Sequence, residues 1–317
     1  MDCLPLCANC SAPAKLKCSA CLNAPEYESG DAAGVAYCGP ACQGQHWNTH
    51  KSYCAPLKRR KKLLRTAVLA KTALLTYRRV NYDIDLVKVE KQGDTLYLHQ
   101  KLHSITKQKS RGPFPDQLTP HIKYQEAALA ANQCTTAMAI LGPLIRKLLA
   151  GFASPIEIMD LNVGRPVFQP KLVPGPDAAN LPHTVLKLGR PYSKETWVLD
   201  ISGCQYGFHD SLLPYHRYIE EGMCRIVNGP QTYDASETSD LDFYETLPFM
   251  TRSKAQRIDL ATERRYRRCF ADFIERHVEQ TILEGTDADF QSRKKQFAMD
   301  LTAQLSSLQS RAQSFNV

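Results

Sequence analysis

The stretch YCGPACQGQHWNTHKSYC, Tyr37 to Cys54, holds three cysteines, two histidines and a tryptophan in eighteen residues. Eight of the twelve cysteines fall within the first 54 residues; Cys134, Cys204, Cys224 and Cys269 are scattered. The clustered residues form pairs: Cys7-x2-Cys10, Cys18-x2-Cys21, Cys38-x3-Cys42 and His50-x3-Cys54. A C-x-x-C pair lets two sulfurs reach one ion from a tight turn, and two such pairs complete a tetrahedron. Three intervening residues place two ligands one helical turn apart on one face. The first two pairs therefore predict knuckles and the last two a helix. With no secretory leader read at the N-terminus, such pairs point to metal ligation in a reducing compartment rather than to disulfides.

Tyr37 before Cys38, Gln43 after Cys42, Trp47, His50-Lys51 and Cys54 together closely resemble the MYND zinc finger, over about 50 residues and all eight ligand positions. The resemblance implies a cross-braced arrangement, with Cys7, Cys10, Cys38 and Cys42 on one Zn²⁺ and Cys18, Cys21, His50 and Cys54 on the other. His46, one turn before His50, is a competing ligand, but the family pattern uses the later histidine. The long stretch LNAPEYESGDAAGVAY between Cys21 and Cys38 departs from the pattern and reads as a loop insertion. Cys3 is a spare, free thiol, and Trp47 is a packing anchor. Both ligand sets would be full, so the two zincs are structural and the finger is not itself a catalyst. Fingers of this family bind short, often proline-containing peptides of protein partners.

A composition of 43% hydrophobic and 23% charged residues is that of a globular protein and argues against disorder. No apolar run approaches the roughly 18 residues of a membrane helix. Together these point to an intracellular protein of cytoplasm or nucleus. The formal charge of +8 falls to about +5 once zinc thiolates and two Zn²⁺ are counted. Its excess is local, in Lys58-Arg59-Arg60-Lys61-Lys62. This run reads as a nuclear import signal or, more plainly, as a solvated helix face. A basic run alone does not point to nucleic acid as a partner.

The fold class expected is α+β: a small two-zinc finger (residues 1–56), a basic amphipathic linker helix (57–79), an α+β domain (80–250) and a C-terminal helical region (251–317). Alternating apolar residues on both sides of Gln92-Gly93-Asp94 predict a β-hairpin over 83–100. Residues 107–120 read as a proline-bearing connector. A helical run follows over 124–149, interrupted at Gly142-Pro143; then come strands over 156–161, 183–188 and 196–202. Long helices over 254–283 and 288–315 close the chain.

The strands HTVLKL and TWVLDIS raise a second constellation. Pairing Val185 with Val198 sets His183 opposite Asp200, and an Asp beside a His is the orienting half of a catalytic triad. Upstream, AANQCTTAMAIL puts Cys134 near a helix start with Asn132 as a possible cap, where a thiol pKa falls. The order Cys, His on a strand, Asp on the next strand resembles the transglutaminase-like and papain-like cysteine enzymes. WVLDISGCQYGF, Trp197–Phe208, is also similar to the region that follows MYND fingers in many fungal proteins. The plainer readings are a buried Cys134 in mid-helix, a surface His183 and a turn-anchoring Asp200. Cys204 is the rival thiol, and Gln205 a candidate oxyanion donor.

Two functions are expected from these features. The first is a zinc-binding protein–protein interaction protein, an adaptor with an enzyme-like body. The alternative is a cysteine hydrolase or acyl transferase in which Cys134 attacks, His183 shuttles the proton and Asp200 orients the ring. A SET-type lysine methyltransferase is disfavoured: those enzymes carry the finger inside the catalytic domain, and no Asn-His pair occurs in this chain.

Overall fold

The structure, a computed structural model, describes residues 5–102, 111–175, 181–189, 193–219 and 224–314. Cys3, residues 107–110 of the connector, residues 190–192 of the turn before Trp197, and Phe315 lie outside the described residues.

Two short strands, β1 (Leu16–Lys17) and β2 (Ala36–Tyr37), pair antiparallel and hold the knuckles together. Helix α1 then runs unbroken from Pro40 to Val80. The helix expected over 57–79 is thus the continuation of the ligand-bearing helix. Pro40 suits a first helical turn, but Pro56 lies inside, where a proline costs about 3 kcal/mol. Packing on both sides offsets that cost. Cys54 and Leu57 are buried with the finger, and Leu63, Ala67, Leu69, Ala70, Ala73, Leu74 and Tyr77 are buried in the main core.

The hairpin is β3 (Leu86–Gln92) and β4 (Thr95–Gln100), turning at Gly93, whose φ of 54° is one that glycine tolerates readily. The helical run expected over 124–149 is three helices: α2 (Ile122–Ala130), α3 (Cys134–Ile140) and α4 (Gly142–Leu149). The additional break falls at Ala131–Gln133, where Asn132 adopts a left-handed φ of 57°. Pro143 does not separate α3 from α4 widely, because it occupies the first turn of α4, where a missing N–H is harmless.

Strands β5 (Ile156–Val163), β6 (Gln169–Val173), β7 (His183–Leu188), β8 (Trp197–Leu199) and β9 (Leu212–Pro214) follow, then α5 (Tyr215–Ile219) and β10 (Cys224–Thr232). β6 joins the hairpin as a parallel third strand; the rest form an antiparallel sheet ordered β10-β5-β7-β8-β9. Leu186, Leu188, Trp197 and Leu199 face α1, α3 and α4 in the main core, while Val185 and Val198 face a smaller cluster with Tyr206 and Tyr218.

Helices α6 (Ser239–Glu245), α7 (Lys254–His277) and α8 (Asp287–Ser314) complete the molecule. A Ser253/Gln256 capping box starts α7, and Leu260, Tyr266, Phe270, Phe273 and Ile274 supply its apolar stripe. Arg111 ties the chain before α2 to α7 through Asp259 at 2.7 Å and Glu263 at 2.6 Å. The α+β class is the observed one. No helix among the described residues is long and apolar enough to cross a membrane.

Candidate functional site

The eight expected metal ligands come together as two sets, Cys7, Cys10, Cys38 and Cys42, and Cys18, Cys21, His50 and Cys54; within each, ligand atoms lie within 4.8 Å of one another. Pairs one and three meet, as do pairs two and four, which is the cross-brace. A tetrahedron with Zn–S of about 2.3 Å has S···S edges of about 3.8 Å and S···N edges of about 3.5 Å. The sulfurs of Cys10, Cys38 and Cys42 are 3.4 to 3.7 Å apart. Cys18 and Cys54 are 3.9 Å apart, and Cys21 lies 3.6 Å from His50 Nε2. Burial and the neighbouring Cys18 and Cys54 push the Cys21 thiol up to about 12, the mutual repulsion that a bound cation relieves when it takes the thiolates as ligands. The residues fit two Zn²⁺, with Nε2 of His50 as the nitrogen ligand. His46 stands outside both sets; its Nδ1 is 3.1 Å from Tyr37 Oη. Trp47, expected to anchor packing, is 46% exposed.

The loop between Cys21 and Cys38 lies against the rest of the molecule. Tyr27 packs on Trp197 and His216, and its hydroxyl accepts the Thr196 N–H at 3.2 Å. The basic run is not a solvated face. Arg60 and Lys61 are each 6% exposed; Arg60 is paired with Asp31 and Glu195, and Lys61 donates to the carbonyls of Ser19 and Leu22. Only Lys58 and Arg59 of the run are exposed.

The second constellation is also assembled, by a different register. β7 and β8 pair Leu186 with Leu199 and Leu188 with Trp197. This is a shift of two residues from the expected pairing, so Asp200 falls diagonally from His183 rather than opposite it. A shift of two keeps every side chain on its own face, and His183 Nε2 lies 2.9 Å from Asp200 Oδ1, both side chains fully buried. Tyr218 donates from its hydroxyl to Asp200 Oδ2 at 2.6 Å. Gly203 lies so close that a Cβ there would sit 2.2 Å from Asp200 Oδ2.

Cys134 is the first residue of α3, and its cap is Gln133 rather than Asn132. Asn132 instead gives its backbone N–H to Gln205 Oε1 at 3.1 Å, while Gln205 Nε2 lies 3.4 Å from His183 Nδ1. Burial by itself raises the Cys134 thiol pKa. The neighbouring His183 ring and the backbone N–H groups of Thr184 and Thr135 outweigh burial and hold the thiol below its usual value, while Sγ itself lies 3.7 Å from the Pro182 carbonyl. For His183, burial lowers the pKa, but the charge and hydrogen bond of Asp200, then Cys134, carry it up to about 10. The other described thiols outside the finger, Cys204, Cys224 and Cys269, move the opposite way. Burial pushes Cys204 and Cys224 up to about 12, and Cys269 is also raised.

Sequence reasoning missed Tyr218 and Gly203 as partners of Asp200. Gly203 follows the strand that leads to Asp200 and was visible only as a turn; Tyr218 carried no signal, since its approach is set by α5.

A protein segment with two full, interleaved Cys/His sets is a cross-braced two-zinc module. Residues 7–54 match the family model of the MYND finger, and this segment is a MYND zinc finger. No curated protein and no solved structure matches the chain.

Proposed function

We propose that the chain is a cysteine hydrolase or acyl transferase whose MYND finger holds a protein partner or substrate peptide. The single observation that carries this reading is the buried His183–Asp200 pair at 2.9 Å, preceded in the chain by Pro182, whose carbonyl accepts from Cys134 Sγ at 3.7 Å. The Cys134 thiolate attacks a carbonyl carbon; the C–S bond forms and the carbonyl oxygen takes the electron pair. Gln205, whose Nε2 lies 3.4 Å from His183 Nδ1, would supply the donor for that oxyanion. As the tetrahedral species collapses, the bond to the leaving group breaks and the His183 imidazolium gives it a proton. Water or another nucleophile then attacks the thioester, His183 takes its proton, and Cys134 leaves as thiolate. Asp200, held by Tyr218, keeps the ring oriented throughout. The two Zn²⁺ ions supply fold stability to the finger and take no part in the bond changes.

In this reading residues 1–56 recruit, 57–79 connect, 80–250 perform the chemistry and 251–317 brace it. Eleven described cysteines are unbridged, which supports a reducing compartment, cytoplasm or nucleus. The likeness of Cys134, His183 and Asp200 to papain-like and transglutaminase-like enzymes rests on the order and roles of these three residues.

The test is alkylation of zinc-loaded protein with limiting iodoacetamide over about pH 5 to 9, mapped by mass spectrometry. Cys134 labels first and at low pH, and His183→Ala removes that advantage. Slow labelling of Cys134, indistinguishable from Cys269, would sink the enzyme reading. A second reading, an adaptor with an inactive body, is favoured by the exposed Leu6, Leu16 and Trp47 on the finger. It requires that partner capture disappear on zinc removal and survive Cys134→Ala.

A further inference from the structure

Neither site uses the basic residues after the finger, yet they build a cavity. Lys58, Lys61, Lys62 and Arg65, on successive turns of α1, form one wall of a space of about 230 Å³. The zinc knuckle contributes Ser19, and the turn into α8 contributes Glu284 and Asp289. The charges do not balance. Lys58 and Lys62 share the one carboxylate of Glu284, at 3.7 and 2.5 Å. Lys61 and Arg65 share that of Asp287, at 2.9 and 2.8 Å. Asp289 is taken by Thr286, whose N–H and hydroxyl both donate to it, at 2.8 and 2.7 Å. Arg65, 5% exposed, also has a buried Nε with no hydrogen-bond partner. Four cations thus face three carboxylates. Lys61 and Arg65 also donate to backbone carbonyls, so Lys58 and Lys62, which share one carboxylate, are the under-paired cations. The positive end of the long helix α8 begins beside them at Asp287.

We infer that this cavity binds a small anion bearing two linked phosphoryl groups. Lysine ammonium groups are point-charge donors suited to phosphate oxygens. At about 30 Å³ per water, the space holds roughly seven waters, more than a single phosphate displaces. The anion takes the place of the second carboxylate that Lys58 and Lys62 lack. It touches the knuckle between Cys18 and Cys21, α1 and the α8 turn at once, so binding locks the finger to the C-terminal helices.

The experiment is isothermal titration calorimetry of pyrophosphate, and in parallel ADP, into the zinc-loaded full chain at fixed ionic strength. One saturable site is expected for pyrophosphate. Equal affinity for ADP means that only the diphosphate is read; tighter ADP binding adds a contact to the nucleoside. Lys58→Glu, at a side chain 52% exposed and therefore foldable, weakens binding roughly tenfold or more. The double variant Lys58→Ala/Lys62→Ala does the same, and Lys123→Ala, on the exposed start of α2, does not. No saturable heat in the wild type overturns the inference. So does heat that persists unchanged in Lys58→Glu, since that would come from pyrophosphate drawing on the zinc.

Discussion

Arg60 Nη2 lies 2.9 Å from Glu195 Oε1 and, on its other side, 2.7 Å from Asp31 Oδ2. Arg60 stands on the helix that carries three zinc ligands, Asp31 on the finger's inserted loop, and Glu195 just before the strand that leads to Asp200. One buried guanidinium therefore ties the zinc module to the sheet that positions His183.

Arg60→Ala removes the guanidinium that Asp31 and Glu195 share, on side chains 28% and 14% exposed. Breaking a buried pair in this way costs about 3 kcal/mol or more. Urea denaturation of the zinc-loaded variant measures it. Lys88→Ala, which removes an exposed pair with Glu90, is the control and shifts stability by less than about 1 kcal/mol.

Zinc removal divides α1 into two parts. Up to Cys54 its buried residues belong to the finger, whereas Leu63 to Val80 lie in the main core. Hydrogen exchange with a chelator present is expected to release amides of residues 7–54 and leave those of 63–80 protected. Equal loss along the whole helix would mean that the main core depends on the metal.

Gly203→Ala tests the support of Asp200. The new methyl would meet Oδ2 at 2.2 Å in a fully enclosed place, an overpacking that costs about 1–3 kcal/mol. Asp200 must move from His183, and low-pH labelling of Cys134 falls with it. Gly229→Ala, with nothing within 4 Å of the added methyl, leaves both stability and labelling unchanged.

The pH dependence follows from His183. Its folded pKa of about 10 is above the unfolded value of about 6.5. The stabilisation it contributes is therefore complete below about pH 6.5 and is lost as pH rises toward about 10. Asp200→Asn removes the principal charge responsible. The gap in urea midpoint between wild type and Asp200→Asn should be widest near about pH 6 and narrow on going alkaline. A gap that widens with pH would contradict a protonated His183.

The zinc module was legible because its information is local. Ligand spacing of two or three residues is dictated by turn and helix geometry, and the metal accepts few donor types. The hairpin at Gly93 and the stripe of α7 were legible for the same reason, one short period each. The His183–Asp200 pairing was half legible. Residue alternation placed both on one face, and alternation survives a register error of two; the register itself depends on how β5 and β9 seat the two strands. Tyr218, the break before Cys134 and the enclosure of Arg60, Lys61 and Arg65 were decided by tertiary structure alone. A basic run carries the same letters whether it faces water or carboxylates more than 100 residues away, such as Glu195 and Asp287. Those partners are selected by packing of the whole chain, and no local pattern encodes them.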